Sequence, residues 1–292
     1  IMERYYFYDI DVRGNLIHDN SIIDDVDYID YFYKNLKPNE SGEYLEYPFI
    51  SLCGREKNYV RADDTPVVFK RLTDNKLEFG NSLTVDFSRE NLRFSADGIL
   101  YHVAPVGGIG RLSSQVVMEL SKWIQPFGDY FSFQAQEDKF NWIIEPKEPF
   151  TNRKILRPRA GNRCVGCGQD STNGLRLSFL FDSGHGTAES WFIPDERLEG
   201  SLGVMHGGFV SLLLDEVMGK VLSGMAVKAP TANLNVQFRK PTPIGKRLHL
   251  RGQLTLVQGR KHFVKGEICN ESGQLLAEAE GLFIEIRKTI LI

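Results

Sequence analysis

A pair of carboxylates, Asp215 and Glu216, interrupts the otherwise apolar stretch 200–222. Few nearby positions are polar, which predicts a buried helix rather than a solvated one. A buried carboxylate is costly unless it is paired or used in chemistry, so Asp215 is a candidate general base. The structural alternative is a carboxylate satisfied by a capping or cross-strand hydrogen bond. Glu216 points about 100° away around the helix and is the weaker candidate.

His206, Gly207 and Gly208 stand where this helix should begin. Backbone N–H groups at a helix start have no intrahelical partner, and the helix dipole adds partial positive charge there. Glycines let a substrate oxygen approach the backbone without meeting a Cβ atom. The arrangement suits an oxyanion hole or an anion site. The alternative is a tight turn that requires glycine conformations.

The spacing between Asp215 and the His206-Gly207-Gly208 segment constrains the geometry of the site. Asp215 follows His206 by nine residues, which is a rise of roughly 13 Å along an α-helix and places the carboxylate on the opposite side from the start. One helix therefore cannot offer both its N-terminal amides and Asp215 to the same carbon atom. Two antiparallel copies packed about 8–10 Å apart could do so. The sequence thus predicts a composite site in a homo-oligomer that is at least a dimer.

The segments that follow have the pattern of β-strands. Apolar and polar residues alternate over 231–240, as is typical of a strand with one buried face. Three more strand-like runs come after it: "RLHLRGQLTLVQ", "KHFVKGEICN" and "QLLAEAEGLFIEIRK". One long apolar helix followed by four antiparallel strands predicts a sheet wrapped round a central helix.

The first 150 residues predict a separate α+β domain. Helical spacing of apolar residues favours helices at 23–36 and 111–124, among short strand-like runs. The Pro- and Arg-rich segment 145–163 marks the natural boundary. The predicted organisation is a first domain over 1–148, a linker over 149–162 and a second domain over 163–288.

The runs "CVGCGQDSTNGLRLSFLF", "MHGGFVSLLLDEVMG" and "TANLNVQFRKPTPIG" occur in this order. Through them, residues 160–288 resemble the hotdog-fold acyl-CoA thioesterases of the phenylacetate-pathway type, close to the mammalian long-chain thioesterase-superfamily proteins. The resemblance implies an acyl-CoA substrate, a dimer that pairs its sheets, and no cofactor. It makes Asp215 the general base or nucleophile, Gly207 the amide donor to the thioester oxygen and Thr231 the residue that orients water. His206 would support the turn and the thioester.

Further residues are candidates for binding the substrate. The acyl chain needs an apolar channel beside the helix, where the small residues Gly208, Ser211 and Gly219 leave room. The phosphates of CoA need basic residues at the dimer rim, although ordinary solvated strand ends are the alternative. The candidates for substrate binding are Gly208, Asn233, Arg239, Lys240, Arg260 and Lys261.

One position departs from part of this family. Some relatives carry an Asn six residues before the His, where it helps to bind the thioester or the water. Here that position is Gly200. The favoured subgroup manages without the Asn.

The first domain contains the runs "YFYDIDVRGNL" and "GILYHVAPVGGIGRLSSQVVMEL". Through these and neighbouring runs, residues 4–145 resemble the uncharacterised UPF0598 family, which implies no activity. The charged run "CGREKNYVRADDTP" favours a salt-bridged hairpin, with a polar-ligand site as the alternative. The glycines of "VGGIGRL" (106–112) match a phosphate-binding loop only weakly.

Composition and charge argue against several other classes of protein and favour certain cellular compartments. A net charge of −3 argues against a nucleic-acid binder, although the second half is basic, notably over 151–163. No apolar run is long enough for a membrane span. Four cysteines do not form a disulfide framework in 292 residues, which favours a reducing compartment, cytoplasm or mitochondrial matrix. No signal peptide is visible, but an Ile precedes the first Met, which leaves an upstream targeting segment open.

Cys164 and Cys167 form a CxxC pair without a second pair. Because a structural zinc site usually needs four ligands, the pair is interpreted as a structural turn and no metal is expected.

Two rival functions remain open. A non-catalytic acyl-CoA binding or sensing module would keep the pocket and turn over poorly. An acyl-thioester dehydratase would pair its His with a carboxylate in another arrangement, which His206 and Asp215 fit less well.

Overall fold

The chain folds into two compact units in a computed structural model that describes residues 4–135 and 141–286. Contacts between Cα atoms group Ile1–Pro126 with Ile144–Glu148, and Phe127–Ile143 with Pro149–Ile292. The other residues, including the last two of the predicted 163–288 domain, lie outside the described part. The domain boundaries drawn from the sequence stay a prediction.

The first unit combines two helices with short strands. Its elements are α1 (Val26–Lys34), α2 (Ser114–Ser121), β1 (Arg4–Ile10), β2 (Leu16–His18), β3 (Ser21–Ile22), β4 (Leu36–Pro38), β5 (Phe49–Cys53), β6 (Glu56–Ala62), β7 (Val68–Phe69), β8 (Arg71–Thr73), β9 (Lys76–Phe79), β10 (Leu83–Asp86), β11 (Leu92–Phe94), β12 (Leu100–Val103) and β13 (Ile109–Leu112). The first six strands form a sheet in the order β3-β2-β1-β6-β5-β4. Only β1 and β6 are parallel in it.

Both helices of this unit are shorter than the sequence predicts. The Asp25 side chain accepts hydrogen bonds from two backbone N–H groups of the first turn, so α1 begins at Val26. The Ser113 side chain caps α2 in the same way, and β13 occupies the preceding residues. In each case the capping side chain marks the start of the helix, which lies after the start that the apolar spacing predicts.

The charged run 53–66 forms ion pairs with residues elsewhere in the first unit. Arg61 forms an ion pair with Asp9, and Asp64 lies 3.0 Å from Arg111 and 3.6 Å from Lys147. These contacts favour the structural interpretation over a polar-ligand site. The glycines at 107–108 lie in the turn between β12 and β13, and α2 begins only at Ser114.

Three short strands lie where the chain alternates between the units: β14 (Ile124–Phe127), β15 (Tyr130–Phe133) and β16 (Trp142–Pro146). The second unit then contains α3 (Gly207–Gly224), β17 (Arg153–Leu156), β18 (Phe179–Asp182), β19 (Thr187–Phe192), β20 (Glu199–Ser201), β21 (Val204–Met205), β22 (Thr231–Phe238), β23 (Leu248–Gln258), β24 (Lys261–Asn270) and β25 (Leu275–Ile284). Single 3-10 turns occur at Arg89–Asn91 and Glu196–Leu198.

Seven strands of the second unit form one antiparallel sheet around α3. Their order is β17-β18-β19-β23-β24-β25-β22, and the helix packs mainly against β23, β24 and β19. The predicted fold class, α+β with an antiparallel sheet round a central helix, is confirmed. The segment 149–162, predicted as a linker, contains β17, which pairs with β18 at one edge of this sheet. Among the described residues, no helix has the length and hydropathy to cross a bilayer.

Glycines on the sheet allow α3 to lie close to it. A Cβ atom on Gly252 of β23 would lie 2.7 Å from the carbonyl oxygen of Val217 in the helix. On β24, a Cβ atom at Gly266 would lie 3.0 Å from the Met218 side chain. Gly252 and Gly266 are register partners, so the two strands present one smooth area to the helix. The position of every side chain on α3 depends on this close approach.

We expect Gly252→Ala to lower the free energy of unfolding of the second unit by about 1–3 kcal/mol, because the new methyl group must displace helix backbone rather than a flexible side chain. The measurement is denaturant unfolding of the full chain. The control is Gly219→Ala, where a Cβ atom meets no heavy atom within 4 Å. That helical substitution should stabilise by up to about 1 kcal/mol. Unchanged stability of Gly252→Ala would contradict the close packing.

Candidate active site

His206 is the N-cap of α3. Its ring accepts a hydrogen bond from one of the backbone amides that the sequence analysis assigned to ligand binding. The Nδ1 atom accepts a hydrogen bond of 3.0 Å from the Gly208 N–H. A ring nitrogen that accepts carries no proton, so the proton of this imidazole is on Nε2. The His206 side chain is otherwise exposed, which leaves Nε2–H free to donate to a ligand.

The Gly207 N–H is the amide that remains available at this helix end. No acceptor for it occurs among residues 4–135 and 141–286. A Cβ atom on Gly207 would lie 3.4 Å from the ring of Phe238, which is 58% exposed at the end of β22. The sequence predicted Gly207 and Gly208 together as the oxyanion hole. The geometry favours Gly207 as the donor, with Gly208 holding the His206 ring.

Asp215 and Thr231 meet as the resemblance implied. The Thr231 hydroxyl donates a hydrogen bond of 2.7 Å to Oδ1 of Asp215. The other carboxylate oxygen has no hydrogen-bond partner in the described part of the chain. Asp215 is half-buried on α3, and Thr231 is exposed at the start of β22. The pair therefore holds one carboxylate oxygen in place and leaves the second open to a water molecule.

The carboxylate and the free amide lie at opposite ends of β22. This strand runs beside α3 so that Thr231 reaches Asp215 and Phe238 reaches Gly207. Eight residues of helix separate Asp215 from Gly207, a rise of about 12 Å. Within one chain the two groups therefore do not face the same carbon atom, as the spacing in the sequence predicted.

The strand β22 is an edge of the sheet. It pairs with β25 on one side, and most of its residues are exposed. Leu234 and Val236 pack against the core, while Asn233 is exposed opposite Leu282. The predicted alternation is present over 233–236, with Asn233 on the outer face. A register shift between Thr231 and Asn233 interrupts it at the start of the strand, so Thr231 bonds to Asp215 of the helix while Ala232 is exposed.

The basic candidates divide between the two ends of β22. Arg239 follows the Phe238 end and forms an ion pair with Glu278, 2.7 Å away. Arg260 and Lys261 lie near the Thr231 end, since Lys261 is the register partner of Ile284 and the Ile284 N–H donates to Pro230. Lys240, beside Arg239, is exposed, as is Lys261. A single chain does not gather these four residues.

Gly200 lies against the histidine. A Cβ atom there would be 2.7 Å from the His206 Cα atom. An Asn at this position would need a different backbone path, so its absence agrees with the local packing.

Two residues of α3 that the sequence did not connect with the CxxC pair lie beside it. The Cys164 thiol is 3.5 Å from Oε2 of Glu216, and the Lys220 ammonium donates to the Cys167 sulfur at 2.8 Å. Burial and the Glu216 carboxylate raise the pKa of the Cys167 thiol to about 12, against the opposing effect of Lys220. The sequence signal that could have indicated this contact is the pair Glu216 and Lys220, which lie four residues apart in an apolar helix and therefore on the same face.

Family models match both parts of the chain. Residues 202–277, which include α3 and β22 to β24, match the model described as Thioesterase superfamily. This match confirms the resemblance of the C-terminal part. Residues 2–148 match the model described as Domain of unknown function (DUF4505).

Individual relatives are similar over the C-terminal part. Acyl-coenzyme A thioesterase THEM4 of Bos taurus is 33% identical over 90 residues, which are 30% of this chain and 37% of the relative. THEM4 of Mus musculus is 31% identical over 114 residues, 39% of this chain and 49% of the relative. The chain thus spans less than half the length of these relatives.

A solved structure of a thioesterase superfamily protein is 30% identical with a TM-score of 0.40, and the match covers 42% of this chain and 60% of the other.

At the N-terminal end, the matching family model covers half of the sequence. The chain therefore belongs to the DUF4505 family, and residues 202–277 are similar to the thioesterase superfamily.

Proposed function

We propose that the second unit hydrolyses an acyl-CoA to a free acid and CoA. The observation that carries the proposal is the Thr231–Asp215 hydrogen bond, which orients a carboxylate whose second oxygen is open. The thioesterase-superfamily match over the same elements supports it. The names of the THEM4 relatives support acyl-CoA as the substrate class.

Asp215 acts as the general base or as the nucleophile. As a base, its open oxygen accepts a proton from a water molecule, and Thr231 Oγ1 can accept the water's other hydrogen. The water oxygen forms a bond to the thioester carbon while the carbonyl oxygen becomes negative. The carbon–sulfur bond then breaks, and the CoA thiolate takes the proton from Asp215. As a nucleophile, the same oxygen forms a bond to the thioester carbon and the carbon–sulfur bond breaks, which leaves a mixed anhydride on Asp215 and CoA as a thiolate. Water then hydrolyses the anhydride to the free acid and the Asp215 carboxylate, and the thiolate takes the proton that this step releases.

The Gly207 N–H stabilises the negative oxygen of this intermediate. It is an amide without a protein acceptor in the described structure, at the positive end of a helix dipole. The exposed Nε2–H of His206 is a second donor at the same end. Gly208 contributes by fixing the His206 ring.

A second copy of the chain completes the site. Antiparallel pairing of β22 with its own copy, centred between Leu234 and Asn235, places Thr231 opposite Phe238 of the second copy. Asp215 of one chain then approaches Gly207 of the other, and two equivalent sites form per dimer. The same pairing removes an exposed sheet edge, which is otherwise prone to nonspecific association.

The dimer also gathers the basic candidates. Arg260 and Lys261 of one chain come to the end of β22 that holds Arg239 and Lys240 of the other. Arg239 is partly neutralised by Glu278, so the exposed lysines are the stronger candidates for the CoA phosphates. Asn233 lies on the outer face of the same strand as a polar contact. The open space beside Gly219 leaves room for an acyl chain.

We propose the cytoplasm or the mitochondrial matrix as the compartment. All four cysteines are free thiols, as expected where thiols are kept reduced.

Asp215→Asn should lower kcat for thiol release by at least about 100-fold, because an amide cannot accept the proton or attack the carbon. Thiol release is measured with short, long and aromatic acyl-CoAs, which also ranks the substrates. Glu280→Gln, on an exposed carboxylate of β25, is the matched control and should keep wild-type rates. No release by the wild type, or equal release by both proteins, would refute this assignment. Acyl-CoA binding that survives in Asp215→Asn without hydrolysis by the wild type would indicate a binding module.

Gly207→Pro should lower kcat about 100- to 1,000-fold by removing one oxyanion donor. Proline is compatible with the first position of a helix, and His206 has the extended backbone (φ −61°, ψ 133°) that precedes proline. Gly207→Ala keeps the N–H group and controls for the added carbon atoms. Each rate is measured on protein whose circular dichroism matches the wild type.

Mixing the two inactive variants tests the composite site. After joint refolding, half of the dimers would pair Asp215→Asn with Gly207→Pro and contain one intact site of two, which restores about a quarter of wild-type activity. If Asp215 and Gly207 acted within one chain, every site would stay defective. Absence of recovery in mixed dimers would therefore exclude the shared site.

A further inference from the structure

The CxxC pair and α3 form a compact cluster on the side of the helix away from β22. The sulfurs of Cys164 and Cys167 and a Glu216 oxygen all lie within 4.8 Å of one another. We propose that these three side chains bind a thiophilic divalent cation, with zinc as the fitting ion. This site is separate from the proposed thioesterase chemistry and does not depend on it.

The turn that carries the two cysteines is held in shape. The Gly168 N–H donates to the Cys164 carbonyl at 2.9 Å, and the Cys164 N–H donates to the Asn162 side chain at 2.9 Å. The Leu177 N–H donates to the Gly166 carbonyl at 2.9 Å, which ties the turn to the following segment. The two sulfurs are therefore positioned before any ion arrives.

Gly166 leaves room for Glu216, the third proposed ligand. A Cβ atom on Gly166 would collide with the carboxylate of Glu216, so only glycine lets this side chain reach between the cysteines. The Glu216 side chain is 12% exposed, with Oε1 paired to the Lys220 ammonium and Oε2 beside the Cys164 thiol. The chain thus places an acidic side chain of the helix into the cysteine turn.

The distance between the Cys164 sulfur and Glu216 suits zinc. In a tetrahedral site with bonds of about 2.3 Å to sulfur and 2.0 Å to oxygen, a sulfur and an oxygen ligand are about 3.5 Å apart. The Cys164 sulfur and Oε2 of Glu216 are 3.5 Å apart. Two thiolates and a carboxylate are ligands that zinc accepts, and water can take the fourth position.

Lys220 balances the charge of the proposed site. Its ammonium lies 2.8 Å from the Cys167 sulfur and 3.1 Å from Glu216, and its side chain is 12% exposed. Two thiolates, one carboxylate, one ammonium and one divalent cation sum to zero. Binding would therefore exchange two thiol protons for the ion without leaving a net charge in a poorly solvated place. The ammonium can also hydrogen-bond to a metal-bound thiolate, as outer partners of metal ligands do.

The test uses the full chain, stripped with a chelator under reducing conditions and titrated with Co²⁺ followed by Zn²⁺. We expect one Co²⁺ per chain with intense thiolate-to-cobalt charge-transfer absorption, displaced by one Zn²⁺. Cys164→Ser and Cys167→Ser should abolish that absorption, and Glu216→Gln should weaken Co²⁺ binding about tenfold or more. Cys53→Ser and Cys269→Ser are the matched controls and should leave the spectrum unchanged, since these free cysteines lie elsewhere.

Several outcomes would overturn the site. If the wild-type chain takes up no Co²⁺ with charge-transfer absorption, the Lys220 ammonium is the resident cation. Absorption that persists in both Cys164→Ser and Cys167→Ser, or that is lost in Cys53→Ser, would place the ion elsewhere. Closure of Cys164 and Cys167 into a disulfide that reduction reverses without any metal uptake would make the pair a thiol switch instead. The titration of the wild-type chain alone can refute the proposal, so the test does not depend on whether each variant folds.

Discussion

The close approach of α3 to β23 is the constraint on which the rest of the second unit depends. At Gly252 the sheet has no side chain under the helix, and the Val217 carbonyl occupies that space. The helix is thereby held at a depth that brings Asp215 to the first residue of β22 and Gly207 to the last. A sheet with ordinary side chains at this crossing would push the helix outward and separate both pairs.

The helix presents different chemistry on different sides. Asp215 faces the edge strand, while Glu216, about 100° further round, faces the cysteine turn. Any change in the rotation of α3 would therefore move both groups together. A cation bound to Glu216 would hold the helix against the turn and would fix the orientation of the neighbouring Asp215.

The edge strand explains why the proposed chemistry needs a second copy of the chain. Thr231 orients the carboxylate at one end of β22, and the free amide lies about 12 Å away at the other. Since no rotation of side chains can bridge that distance, the proposed chemistry requires a second copy across the same edge. The first unit lies outside this reasoning: its charged run is paired with residues elsewhere in the same unit, and its family model carries no activity.

The sequence by itself determined the elements with strong local signals. Apolar spacing and the His-Gly-Gly start predicted α3, and alternation predicted β22. The nine-residue spacing also sufficed to separate Asp215 from the helix start, because helix geometry is local. The short strand β17 was missed, since four residues in a Pro- and Arg-rich segment carry no clear period and pair only when β18 is beside them.

Only the tertiary structure decided which side chains share a site. That Gly208 holds the His206 ring, and that Gly207 keeps the free amide, depends on a side-chain rotamer that no spacing specifies. That Glu216 enters the turn of Cys164 depends on packing between segments 52 residues apart. Local patterns report on neighbours along the chain, whereas these contacts are set by the depth and rotation of α3 in the sheet.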